Sequence, residues 1–503
     1  MLVAFVLVSA PVFWLVSYNS GYGFDQLEYL IIGRSLTEGY PLYYWFPSKS
    51  FGIYALVALL YSLGVSFGHV SVALIATAMY CLIVTATYLV VRVILDPVVA
   101  LVAAVLIAAC AAFMELVFLQ PDGFVYLSGL LAFYLVLCAN PSQRSWRILL
   151  AGAAVAVGTY FKSVAGLYLL PIIMFVAITM RTRGSSNAAV SRAMLMMLVA
   201  FSVAFSLPAA YFAISGHLDA FWRWTVTFPL FDYSANTFYL RTLYTKLLFF
   251  HALVIGCLLL SLRPKLRTEV YSTPAAVLAL ALGVFAYGAI LKTQAAHYCF
   301  PGAAFLSIFS AVVLTAQARL SARVRANGLL WTALGAAVLA LVAVLSAYLY
   351  LPHSLKRLAQ LRDFATEDDA LRRLVWDRVP PGNQMLILTR WQSTRWYWLS
   401  HRYPPPPFLN TAEQTVRYIR HHPSSLLGLL DVPGLALVGF NPGEPEMDDL
   451  GFGSRPGDDE LFELLRRRVE RRFVRINVSI DEVILWIPRR SAPFPNNSSP
   501  EDH

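Results

Sequence analysis

Five charged side chains, Asp25, Glu28, Arg34, Glu38 and Lys49, fall in one stretch, Gly21 to Gly64, just after an apolar run from Leu2 to Val16. Hydrocarbon does not solvate such groups without a partner, so the stretch reads as a loop at a membrane face. An ionised carboxylate at Asp25 can take a proton from an alcohol as a general base. It can equally cap a helix, satisfying free backbone N–H groups and meeting the positive end of the dipole. Further along, Asp122, Lys162, Lys292, His297 and Tyr298 stand at the ends of apolar runs. Lysines there either neutralise a phosphate or snorkel to headgroups. Asp122 sits in Pro121-Asp122-Gly123, which is also an ordinary turn, and His297-Tyr298 also suits an interfacial belt.

The elements that must carry these residues are membrane helices. The chain has 503 residues, 58% hydrophobic and 14% charged, with a mean hydropathy of +0.61, too apolar for a soluble protein. Its net charge of +10 does not argue for nucleic acid, because from Leu351 onward 20 basic residues meet 20 acidic ones. The excess, 19 basic against 9 acidic, lies in the first 350 residues, where it is an orientation signal. The five cysteines all fall in apolar segments with neither CxxC nor Cys/His ligand spacing, which predicts packing roles and no disulfide in the polar tail. The amino-terminal run lacks a basic n-region and reads as a first span, not a cleaved signal.

Eleven apolar runs are long enough, or nearly so, to cross about 30 Å of hydrocarbon: Leu2 to Val16, Val70 to Val91, Val98 to Met114, Phe124 to Ala139, Ile148 to Phe161, Val164 to Met180, Ala193 to Ser215, Thr242 to Leu262, Pro274 to Ile290, Phe300 to Ala318 and Gly328 to Leu349. Within the first loop (residues 18–69), helices are predicted over about Asp25 to Glu38, stopped at Gly39-Tyr40-Pro41, and over Phe51 to Leu63. If the second of these lies in the interface, twelve of the 19 basic residues face the cytoplasm and seven of the nine acids face out. The positive-inside rule then predicts an inner amino terminus and an outer carboxyl terminus. After residue 350 the composition changes. Helix-like stretches (Leu355 to Val375, Glu413 to His421, Asp459 to Arg472) alternate with short apolar strands (Met385 to Leu388, Leu435 to Phe440, Phe473 to Val478, Val483 to Ile487). The expected fold is a polytopic α-helical membrane protein, 1–350, with a small extracytoplasmic α/β domain, 351–490, and a disordered Pro/Asn/Ser-rich tail, 491–503.

The first loop resembles that of the GT-C superfamily of polyprenyl-phosphate-sugar-dependent glycosyltransferases, in particular bacterial relatives of protein O-mannosyltransferases and aminoarabinose transferases. The residues that carry the likeness are Asp25, Tyr29, Gly33-Arg34-Ser35-Leu36, Gly39, Pro41-Leu42-Tyr43, Lys49 and Tyr54. Gln26 stands where that family has a second acid, and Ser50-Phe51 where it has two prolines. Lys162 in TYFKSVAGLYLLP, Lys292 in KTQAAHYCFP and the segment VPPGNQMLILTRWQSTRWYWLSHRYPPPPF are similar as well, with Ser400-His401 where the family has Thr-Gly.

The resemblance implies an inverting transferase that moves a sugar from a polyprenyl-phosphate carrier to a glycan, lipid or protein acceptor at the outer face of the cytoplasmic membrane. Asp25 is then the expected base; Lys49, Lys162, Lys292 and Arg34 are expected near the donor phosphate; Glu28, Asp122, His297 and Tyr298 are expected to contact substrate. Asp25, Glu28 and Asp122 would be the oxygen ligands of a divalent cation if one binds, although nothing in the residues requires a metal. The competing classes are a transporter or flippase of lipid-linked sugars and a non-catalytic binder. Related halves, which many transporters show, are not visible here.

Overall fold

The structure is a computed structural model that describes residues 2–20, 24–42, 50–114, 116–139, 145–223, 225–227, 240–289, 296–324, 369–388, 393–406, 423–439, 458–480 and 483–489. Chain contacts divide it into two compact units. The first comprises Met1–Gln26 and Lys49–Leu361, and the second Leu27–Ser48 and Arg362–His503.

Helices occupy ten of the eleven apolar runs, and the remaining run, Gly328 to Leu349, lies outside the described residues. They are α1 (Leu2–Ser20), α4 (His69–Ile94), α5 (Pro97–Phe113), α6 (Pro121–Leu137), α7 (Ser145–Phe161), α8 (Leu169–Thr182, entered through a 3₁₀ turn, Ser163–Tyr168), α9 (Asn187–Ile214), α11 (Leu240–Ser261), α13 (Pro274–Ala289) and α14 (Phe300–Val324). By length and composition four described helices can cross a membrane, or five if α12 (Pro264–Tyr271) and α13, bent by 89°, count as one span. Between α1 and α4 lie α2 (Phe24–Thr37) and α3 (Phe51–Ser62). The twelve residues of α3 rise about 18 Å, short of a bilayer core. The short α10 (Leu218–Trp222) follows α9.

Polar starts and small residues explain much of this unit. Asp96 caps α5, accepting from Val98 N at 2.8 Å and Val99 N at 3.0 Å, with proline in the first turn behind it. The helix α7 carries glycines where neighbours come too close for a side chain. A Cβ at Gly152 would lie 2.3 Å from Met197 O on α9, and one at Gly158 would lie 2.3 Å from Ser128 Oγ on α6. Small residues that admit close backbone approach are how helices pack in lipid, where no hydrophobic gain drives them together.

The second unit is built on a four-stranded mixed sheet of order β1-β2-β4-β3, with β1 (Gln384–Ile387), β2 (Leu435–Gly439), β3 (Phe473–Ile480) and β4 (Val483–Pro488). Each strand overlaps a short apolar run in which alternation predicted one. The pair β1/β2 is parallel; β2/β4 and β4/β3 are antiparallel. Its helices are α15 (369–378), α16 (Ser393–Ser400), α17 (Pro423–Leu429) and α18 (Asp458–Arg472). Leu386, Leu430, Val438, Val469, Phe473 and Trp486 form the core of this layer. Asp431 binds Arg468 and Arg472, which fixes α18 to the turn after α17. The predicted helix over Glu413 to His421 and the tail from Ser491 lie outside the described residues.

Candidate functional site

In the first unit, Asp122, Lys162 and Tyr298 come together. Pro121 opens α6, so the Asp122 carboxylate stands in the first turn, at the positive end of the dipole. The side chain is 1% exposed, and Lys162, at the break between α7 and the 3₁₀ turn, donates to its Oδ1 at 2.8 Å. Among the described residues its Oδ2 makes no hydrogen bond. The Lys162 ammonium also lies 3.2 Å from the centroid of the half-buried Tyr298 ring, a close cation–π contact. Tyr298 belongs to the 3₁₀ turn Ala296–Cys299 that leads into α14. Rings brace this corner: Phe124 stacks on Phe161 at 4.4 Å, and Tyr126, Phe300 and Phe305 interlock edge to face. Both residues are expected at the substrate, but nothing in their spacing indicates that they pair across 40 positions.

Asp25 is the second residue of α2 and is half-buried, while Glu28, three residues on, is 0% exposed. The helix ends as its sequence predicts. Gly39 takes φ +92°, Tyr40 N donates to Ser35 O at 3.0 Å and Gly39 N donates to Leu36 O at 3.3 Å, a Schellman closure. Asp25 is grouped with the first unit and residues from Leu27 with the second.

Arg34, expected to face the donor phosphate, has different partners. It is 5% exposed, its Nε donates to Tyr403 Oη at 2.9 Å, and its terminal nitrogens donate to the carbonyls of Trp398 and Tyr397, each at 3.4 Å. The rings of Trp398 and Tyr403 stand 5.1 and 5.2 Å from its Cζ. The guanidinium is held by protein groups. Lys49 and Lys292 lie outside the described residues; the His297 backbone falls in the 3₁₀ turn, with its side chain outside the description. No group of three or more His, Cys, Asp or Glu able to hold a metal occurs among the described residues.

His401 occupies a position at which the resembled family has glycine, and its φ of +54° explains that preference. The residue as a whole is exposed, yet its ring stacks on Trp398, with centroids 6.4 Å apart. Desolvation, then the charges of Arg34, Arg372 and Arg402, push its pKa down from 6.5 to about 4. The unfolded chain therefore binds the extra proton between pH 6.5 and about 4, and stability rises with pH across that window. His401→Gly removes both the titration and the left-handed strain. Thermal unfolding at pH 5 and pH 8 is expected to show a larger gain for this variant at pH 5; an equal change at both values would refute the coupling.

Residues 48–207 match the family described as dolichyl-phosphate-mannose-protein mannosyltransferase. No curated protein matches the chain. Among solved structures it is similar to ArnT from Cupriavidus metallidurans bound to undecaprenyl phosphate, at 16% identity and TM-score 0.63 over 98% of this chain and 99% of that one. The same protein in its apo state aligns at 16% identity and TM-score 0.57, covering 96% and 97% of the two chains. The apo oligosaccharyltransferase of Archaeoglobus fulgidus aligns at 12% identity and TM-score 0.55, covering 91% of this chain and 72% of that one. Likeness along nearly the whole chain shows that this protein shares the fold of ArnT, and residues 48–207 carry the mannosyltransferase family match.

Proposed function

We propose that the protein is an inverting glycosyltransferase that takes a sugar from a polyprenyl-phosphate carrier and gives it to an envelope glycan, lipid or protein acceptor. The observation that carries this reading is the chain-long likeness to a protein whose structure holds undecaprenyl phosphate. Direct transfer needs a base for the acceptor hydroxyl and positive charge for the departing phosphate. Asp25 supplies the base. Lys49 and Lys292 supply charge to the phosphate, and the Asp122 Oδ2 lone pairs, held in place by Lys162, accept a hydroxyl of the sugar. Arg34 serves the fold of α2.

The reaction runs at the outer face of the cytoplasmic membrane, with eleven spans, α3 in the interface and residues 351–490 as an extracytoplasmic domain. The shortness of α3 supports its interfacial position. Reporters fused after Arg147 and Arg267 are expected to read cytoplasmic and one after Pro352 extracytoplasmic; an outer location for the Arg267 fusion would remove this arrangement. For the activity, the purified protein is offered a panel of undecaprenyl-phosphate-linked hexoses and pentoses with envelope extract as acceptor. Release of undecaprenyl phosphate with labelling of the extract is expected. Binding of these donors without release would instead favour a transporter or a non-catalytic binder, a reading that the single acid at Asp25-Gln26 keeps in view.

A further inference from the structure

We propose that Arg34 and Tyr403 are positioning residues that fix the rotation of α2, the helix that bears Asp25. The proposal rests on the reading of Asp25 as the base. Three observations carry it. First, from Leu27 onward α2 clusters with residues more than 300 positions later in the chain.

Second, the bonds that hold α2 reach into the sheet. Tyr403 Oη accepts from Arg34 Nε and donates to Glu38 Oε2 at 2.7 Å, so a single hydroxyl ties two residues at the end of α2. The Tyr403 carbonyl in turn accepts from Met385 N on β1 at 3.3 Å. Tyr397 makes a parallel link: its carbonyl accepts from Arg34, and its hydroxyl accepts from Ile387 N on β1 at 2.8 Å. Two short routes therefore join β1 to the last turn of α2. Third, the joint is a buried guanidinium. Burying a charge brings little net stability, because desolvation offsets the attraction, whereas the rigid fork of an arginine specifies one geometry.

Asp25 and Arg34 are nine residues apart on a continuous helix, a rise of about 13.5 Å over two and a half turns. Holding the last turn at both Arg34 and Glu38 sets the rotation of the first. A reacting group displaced by about 1 Å loses up to about a hundredfold in rate, so a loosened joint is expected to appear as lost turnover.

The test uses full-length protein in detergent with Tyr403→Phe and Arg34→Lys. Amide exchange along α2 needs no substrate; it is expected to quicken about tenfold or more in both variants, while β3 and β4 keep their protection. With the undecaprenyl-phosphate sugar that the wild type consumes, kcat per folded molecule is expected to fall about tenfold or more, with little change in KM for the donor. A merely structural arginine would lower the yield of folded protein and leave kcat per folded molecule unchanged. That result, or unchanged exchange in α2, overturns the proposal. If Asp25→Asn keeps its transfer while both joint variants still loosen α2, the assignment of the base fails and the joint itself stands.

Discussion

Asp25→Asn is expected to give a normally inserted, stable protein that has lost nearly all transfer. Asparagine keeps the size and a side-chain oxygen of Asp25, which stands one residue inside the helix start at Phe24. It cannot take a proton from an acceptor hydroxyl, a contribution of typically about 10² to 10⁴ in rate. Loss of the first-turn negative charge, which meets the positive end of the helix dipole, is expected to cost about 0.3–1 kcal/mol of helix stability besides. Donor consumption per folded molecule and thermal unfolding separate the two effects. Transfer near the wild-type rate in Asp25→Asn would withdraw the base and shift the balance towards a transporter or binder.

The second large effect is on stability. Lys162→Met is expected to destabilise the first unit by about 3–5 kcal/mol, because it leaves the 1%-exposed Asp122 carboxylate without the cation that offsets its desolvation. The double variant Lys162→Met, Asp122→Asn removes the stranded charge and is expected to recover most of that loss. Asp122→Asn alone is expected to be milder, since the ammonium keeps the Tyr298 ring and is itself 15% exposed. Denaturant unfolding of the four proteins completes the cycle. If the single and double Lys162 variants are equally unstable, the two charges are not coupled.

What was legible in the sequence was local. Apolar runs located the helices, and Gly39 and Gly64, with φ of +92° and +83°, end α2 and α3 where a helix had to stop. The four strands of the second unit announced themselves as short apolar runs between charged stretches. Pairings were not legible. Arg34 and Tyr403 are 369 positions apart, and nothing in the spacing of one sequence says that a cation in an early loop will lie between two rings of a late segment. Arg34 and Lys162 stand out in the sequence for their charge, but a charge near a membrane face suits a phosphate, a headgroup or a buried partner equally well. Only geometry distinguishes these. The glycine-like conformation of His401 was half legible, since the resembled family carries glycine there.

The closure of α2 at Gly39 has a consequence for how this stretch can vary. The cap is made by backbone groups of the helix itself, so α2 ends where its own glycine stands and cannot easily give up or gain a turn. Substitutions along its buried stretch, 26–35, disturb packing one position at a time. An insertion or deletion of a single residue between Asp25 and Arg34 is different in kind: it swings one end about 100° around the axis relative to the other and slides it by about 1.5 Å. The arginine would then face away from its two rings, or the carboxylate away from its setting, with every side chain still present. The nine-residue interval from Asp25 to Arg34 acts as a fixed measure, intolerant of any change in its length.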